Sequence, residues 1–237
     1  MVESVSTPRT LQTSNLWLYL SAAVEPLFVT CDSGEQFLEV MRAAKTRGGR
    51  NVGCGRAVVP AVDFQGVAGV WRTNRHGGLL GGMFGARYAG TKRIRDEIDV
   101  ASRLMAIRIN TPPILVAAAV REGIYWTQHI VTTEIKNSQT VFDARENEQA
   151  MFEAGKVMAK LFKAGYYATD LHPRNMLWVE DTKQIWVIDL AGAKMLNSEL
   201  SQQQCLQRLK RFERFFVKHA GDKPSCLSHL RRGLGIS

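Results

Sequence analysis

The chain has 237 residues, 45% of them hydrophobic and 22% charged, which suits one sizeable domain or two small lobes and excludes a disordered chain. Thirty-one basic against 22 acidic residues give a formal charge of +9, which fits nucleic acid, an anionic membrane surface or a phosphorylated or acidic small molecule and selects none of them. Cys31, Cys54, Cys205 and Cys226 stand far apart without a C-x-x-C pair, so neither a disulfide framework nor a structural zinc site is expected, and no apolar run reaches the roughly eighteen residues of a membrane-spanning helix.

Residues 16–29 are apolar, but Glu25 and Pro26 interrupt them and no basic leader precedes them. They are expected to form a strand or short helix of an N-terminal extension covering residues 1–45. A short helix is expected at 33–44, where Phe37, Leu38, Val40 and Met41 recur at near-helical spacing. The glycine-rich stretch 47–56 leads into two β-like runs, 57–62 and 67–71. Gly53 and Gly55 are candidates for a turn whose backbone N–H groups approach phosphate oxygens, although a plain hairpin tip has the same composition.

Arg72 closes the second of those runs and begins a basic region with Arg75, His76, Arg87, Lys92, Arg93 and Arg95. Within it, residues 85–92 have the glycine spacing of a P-loop. Thr91-Lys92 transposes the required Lys-Thr order, so a nucleotide P-loop is rejected in favour of a basic loop on the substrate side. Residues 91–105 read as a helix with Ile94, Ile98, Ala101, Leu104 and Met105 on one face and Glu97 beside it. Pro112-Pro113 ends this unit. Strands are expected at 114–120 and 124–131, leaving through Thr132, Thr133, Glu134 and Ile135.

Residues 147–164 form a well-marked amphipathic helix, with Gly165 as its stop. Then comes Thr169-Asp170-Leu171-His172-Pro173-Arg174-Asn175, the short apolar strand 176–179, a polar turn at 180–183, and a second apolar strand that delivers Asp189. The spacing D-x-x-x-x-N, hairpin, D is that of a protein-kinase catalytic loop and its metal-binding aspartate. In that arrangement Asp170 accepts the proton of an acceptor hydroxyl, while Asn175 and Asp189 hold Mg²⁺ against the phosphates of a nucleotide. The plainer alternative is a turn rich in polar caps.

These residues resemble the lipopolysaccharide kinase group, most closely its 3-deoxy-D-manno-octulosonic acid (Kdo) kinases. A-T-D-L-H-P-R-N-M-L-W followed by W-V-I-D-L-A matches the group's H-x-D-L-N-x-H-N-I-L-L and D-F-D blocks, and the stretch 70–84 looks like its L-R-H-Y-x-R-G-G-L block. The similarity runs from about residue 48 to about residue 218. Ala168 stands where the group has His, and Leu190-Ala191 where it has Phe-Asp.

The resemblance implies an α+β, two-lobed protein-kinase-like fold with a compact C-terminal lobe: a small N-lobe over 46–135 and a helical C-lobe over 136–237. It also implies ATP and Mg²⁺ as cofactors. Arg72 then touches the nucleotide phosphates braced by Glu97, Gly53 and Gly55 line the nucleotide, and residues 132–135 form the hinge that meets the adenine. The implied reaction is phosphorylation of the Kdo residue of Kdo–lipid A on the cytoplasmic face of a bacterial inner membrane. Other readings are a core heptose kinase, a pseudokinase favoured by Ala168 and the missing Phe, and a nucleic-acid binder supported by charge alone; no nucleic-acid partner is expected.

A last helix is expected at 198–219. One face carries Leu206, Leu209, Phe212, Phe215 and Phe216, the other Arg208, Lys210, Arg211, Arg214 and Lys218. Such a basic face is either solvated or settles peripherally on anionic lipid, and the two are compatible. No A-P-E-like motif follows Asp189, which favours a small-molecule or glycolipid acceptor over a peptide.

Overall fold

The computed structural model describes residues 8–52, 59–75, 85–222 and 224–236. The chain divides into two compact units, Met1–Arg95 with Pro113–Glu134, and Asp96–Pro112 with Ile135–Ser237. Gly53, Gly55, Cys54 and His76 lie outside the described residues.

The first unit is built on an antiparallel sheet. Its strands are β1 (Arg9–Gln12), β2 (Leu16–Leu20), β3 (Asn51–Val52), β4 (Val59–Phe64), β5 (Val67–Thr73), β6 (Arg87–Tyr88), β7 (Ile114–Glu122) and β8 (Tyr125–Thr133). The order is β1-β2-β7-β8-β5-β4-β3, with β6 also pairing β8. Leu16, Leu18 and Leu20 alternate onto one face, where helix α1 (Gly34–Gly48) covers them with Phe37, Met41 and Ala44. Residues 114–120 of β7 are buried without a break, so this central strand reads as a continuous apolar run rather than an alternating one. Ser33 caps α1 by accepting from the Gln36 amide, and Gly49 ends it in the left-handed region. The stretch read as an N-terminal extension therefore contributes a strand beside β7, paired from Leu16↔Val120 to Leu20↔Val116.

The chain crosses into the second unit within α2 (Lys92–Ala106). The second unit holds β9 (Ser138–Thr140), α3 (Glu148–Lys163), β10 (Tyr166–Tyr167), β11 (Met176–Val179), β12 (Gln184–Val187), β13 (Lys194–Met195), α4 (Gln202–Ala220) and α5 (Leu227–Leu234). Asn147 caps α3 through the Ala150 amide, 3.0 Å away. Gly165 ends the turn after α3 at a φ of +76°, and a Cβ there would stand 2.5 Å from the Ser198 carbonyl, so both conformation and space demand glycine. Helices α3 and α5 meet backbone to backbone: a Cβ at Gly155 would lie 2.1 Å from the Leu230 carbonyl. The contact is extended by His229 Nε2, 3.2 Å from a Glu148 carboxylate oxygen, and by the Cys226 thiol, which donates to the Glu146 carbonyl. Cys31, Cys205 and Cys226 are free thiols. Among the described residues no helix is long and apolar enough to cross a membrane.

Candidate active site

Antiparallel pairing of β11 with β12 runs in register from Met176↔Val187 to Val179↔Gln184. The residue before β11 and the residues after β12 must therefore emerge at the same end of the hairpin. Asn175 precedes β11 and closes a 3-10 turn, Pro173–Asn175. Its carbonyl accepts from the Ile188 amide at 2.9 Å, which fixes the spacing between Asn175 and the neighbouring Asp189. The hairpin is anchored beneath by Trp178, Met176, Ile185 and Val187, all buried, and by the Val187 amide donating to the Asn110 carbonyl.

The Asn175 side chain donates Nδ2 to the Asp170 carbonyl at 2.9 Å. This bond closes the six-residue loop 170–175 and leaves the carboxamide oxygen as the donor atom for a cation. Asp170 itself is exposed at the loop's head, accessible to a substrate from solvent. Asp189 is exposed and sits at a φ of +56°, the left-handed region that a short polar side chain tolerates better than most and that is enriched at functional positions. A carboxamide oxygen and a carboxylate are hard oxygen donors, the class that Mg²⁺ prefers. The residues present thus suit that ion chemically.

Two buried groups surround the site. Tyr166 is 2% exposed, and burial, reinforced by the charges of Asp189 and Glu97, pushes its hydroxyl above the usual phenol range. Glu97 is itself only 3% exposed, a rare burial for a carboxylate, so it is no solvated surface charge of α2. His172 stacks on Phe215 of α4 with ring centroids 4.5 Å apart, and its Nε2 is 4.0 Å from Asp170 Oδ2. Burial lowers the His172 pKa against the opposing pull of Asp170 and Asp189. The guanidinium of Arg174 lies over the rings of Phe142 and Phe215, at 4.6 and 5.6 Å.

Arg72 lies in the first unit, half-buried on β5 opposite Ile130 of β8. Of the basic region, Arg93 rests over the Tyr88 ring and Arg95 over the Trp17 ring, so both spend their apolar planes on aromatic faces. Residues 132–135 contain the step between units, with Glu134 ending the first and Ile135 opening the second.

Sequence reasoning missed the contribution of α4. Arg208 donates Nη1 to the Ala168 carbonyl at 3.2 Å and covers the Tyr167 ring, while Arg211 donates Nη2 to Asp170 Oδ1 at 3.1 Å. A signal was present: at roughly 3.6 residues per turn, Arg208 and Arg211 flank Phe215 and Phe212, whereas Lys210 and Arg214 fall on the far side. The basic face is therefore two faces, one turned to the loop and one to solvent.

Residues 39–223 match the lipopolysaccharide kinase (Kdo/WaaP) family, and the chain belongs to that family. It is 29% identical over 178 residues to a 3-deoxy-D-manno-octulosonic acid kinase of Photobacterium damsela subsp. piscicida, covering 71% of this chain and 72% of that one. A protein of the same name from Vibrio vulnificus (strain YJ016) is 26% identical over 165 residues, 66% of this chain and 70% of that one. A solved structure of WaaP in complex with acyl carrier protein superposes with a TM-score of 0.54 at 15% identity, covering 92% of this chain and 98% of that one. The fold is the kinase-like α+β fold, and the activity is phosphotransfer from ATP to a sugar hydroxyl in lipopolysaccharide synthesis.

Proposed function

We propose that the chain phosphorylates the Kdo residue of Kdo–lipid A, with Asp170 as general base and Asn175 and Asp189 as ligands of the nucleotide's Mg²⁺. The observation that supports this reading is that Asn175 and Asp189 flank the same end of the β11–β12 hairpin, with the Asn175 side chain bonded to the Asp170 backbone carbonyl. The relatives named for Kdo support the acceptor. Asp170 takes the proton of the sugar hydroxyl as its oxygen bonds to the γ-phosphorus, the β–γ bridging bond breaks, and ADP leaves with the electron pair. Held by Asn175 and Asp189, Mg²⁺ would supply neutralisation of phosphate charge. Arg72 and the glycine-rich stretch of Gly53 and Gly55 would meet the phosphates. The acceptor is anchored in lipid, and the exposed cations of α4 suit a peripheral position on the cytoplasmic face of the inner membrane.

The test is phosphate transfer from ATP to Kdo–lipid A, with heptosylated core as the competing acceptor. Kdo–lipid A should be the better substrate by kcat/KM, and Asp170→Asn should lose roughly 10²–10⁴ of turnover, the usual contribution of a positioned base. A preference for the heptosylated acceptor reassigns the chain as a core heptose kinase. Retention of most turnover by Asp170→Asn at saturating Mg-ATP removes Asp170 from the base role.

A further inference from the structure

Two arginines of α4 end on the loop that carries Asp170. The helix is also seated by Leu209, Phe212 and Phe216, which are buried, and by Glu213, which accepts from Arg231 Nε and Nη2 at 2.8 and 3.0 Å. The Arg211–Asp170 pair is open to water on both sides, with side-chain exposures of 49% and 64%. Solvent screens such a pair, so it adds little to the stability of the fold. Its consequence is local, and it falls on the carboxylate at the head of the loop.

We propose that Arg211 is the positioning residue for Asp170, with Arg208 fixing the backbone two residues earlier. This rests on the reading of Asp170 as base. An exposed carboxylate turns freely about its side-chain bonds, and a base must meet its proton within roughly 2.6–3.2 Å to be useful. Arg211 occupies Oδ1 at 3.1 Å and so restricts that rotation. Oδ2, on the side of His172, is the oxygen presented to the acceptor hydroxyl. Arg208 holds the Ala168 carbonyl at 3.2 Å, so the peptide that leads into Asp170 is tied to the same helix. The planar guanidinium sets direction as well as charge, which a lysine ammonium does not. A misplacement of about 1 Å in such a group costs on the order of 10²-fold in rate.

The experiment compares Arg211→Met, Arg211→Lys, Asp170→Asn and the double variant Asp170→Asn/Arg211→Met on ATP and Kdo–lipid A. Arg211→Met should lower kcat by about 30- to 100-fold while both KM values stay within about threefold, and its thermal midpoint should stay within about 2 °C of wild type. Arg211→Lys should recover part of kcat. In the Asp170→Asn background, loss of Arg211 should cost about threefold or less, because the two act as one unit. Should Arg211→Met keep full turnover while Asp170→Asn loses it, the inference fails and the base reading stands. A rise in acceptor KM with kcat intact also overturns it, since Arg211 would then contact substrate. So does an undiminished loss in the double variant, or a folding failure of Arg211→Met accompanied by wild-type turnover of Arg211→Lys. If Asp170→Asn itself keeps its turnover, the base reading falls and this inference with it.

Discussion

Lys210, Arg214 and Lys218 are the cations of α4 that remain exposed once Arg208 and Arg211 are assigned to the catalytic loop. Replacing these three with Gln, and leaving both loop arginines in place, separates membrane attachment from chemistry. Each Lys or Arg near an anionic surface adds about 1 kcal/mol, so the three together contribute about 3 kcal/mol. That is roughly a hundredfold in membrane partition, since about 1.4 kcal/mol corresponds to a factor of ten. The assay is co-sedimentation with vesicles rich in phosphatidylglycerol at low salt, with zwitterionic vesicles as the reference. Wild-type protein should bind the anionic vesicles and be released as the Debye length contracts from about 30 Å at 0.01 M to about 8 Å at 0.15 M salt. The triple variant should lose most of that binding and most activity on lipid-embedded acceptor, while turnover of a short soluble acceptor survives. Unchanged vesicle binding would refute the assignment and make this face of α4 a solvated surface, moving the membrane contact to the basic region between Arg72 and Arg95.

Asp189→Ala should abolish transfer and remove the Mg²⁺-dependent part of ATP affinity, measured by calorimetry with and without chelator. Asn175→Ala should be milder, because a carboxamide offers a neutral ligand, and equal wild-type affinity in magnesium and in chelator would sink both. His129 is buried on β8, its Nδ1 accepts from the Trp71 indole N–H at 3.3 Å, and burial holds its pKa at about 4. Above pH 6.5 the ring is neutral folded and unfolded, and stability is flat. Between 6.5 and about 4 only the unfolded chain takes the proton, so stability should fall by up to about 3 kcal/mol as pH drops, and no further below that window. Urea unfolding from pH 7 to 4 checks this; His129→Gln should flatten the slope, and an equal slope in both proteins would clear His129.

What the sequence made legible and what it hid differ in range. Helices α3 and α4 and the β11–β12 hairpin follow from local periodicity and local turn chemistry, and their bounds lie within a few residues of expectation. Because antiparallel pairing joins strand ends, the hairpin already implied that Asn175 and Asp189 emerge at the same end. The partner of Leu16–Leu20 was not legible, since the strand it joins lies about a hundred residues away and leaves no mark on the local pattern. The same limit hid Arg208 and Arg211. Counted along the chain they belong to a run of surface cations; helical spacing sets them beside Phe212 and Phe215, but that the loop carrying Asp170 lies against that side is a contact about forty residues distant in sequence.

The two departures from the family's loop can now be weighed by where they fall. Ala168 is buried, and the part of it that bonds is its backbone carbonyl, held by Arg208. Leu190 is buried at 5% exposure, an apolar side chain in an apolar place, directly after the left-handed Asp189. Both changes therefore sit at positions where the loop packs. The groups that would handle protons and phosphate charge are Asp170, Asn175 and Asp189, and Asn175 and Asp189 stand at one end of the β11–β12 hairpin, with Asp170 bonded through its backbone carbonyl to the Asn175 side chain. The Arg211–Asp170 pair is exposed on both sides and so does little for stability. Such a pair beside an intact D-x-x-x-x-N loop fits a loop built for turnover.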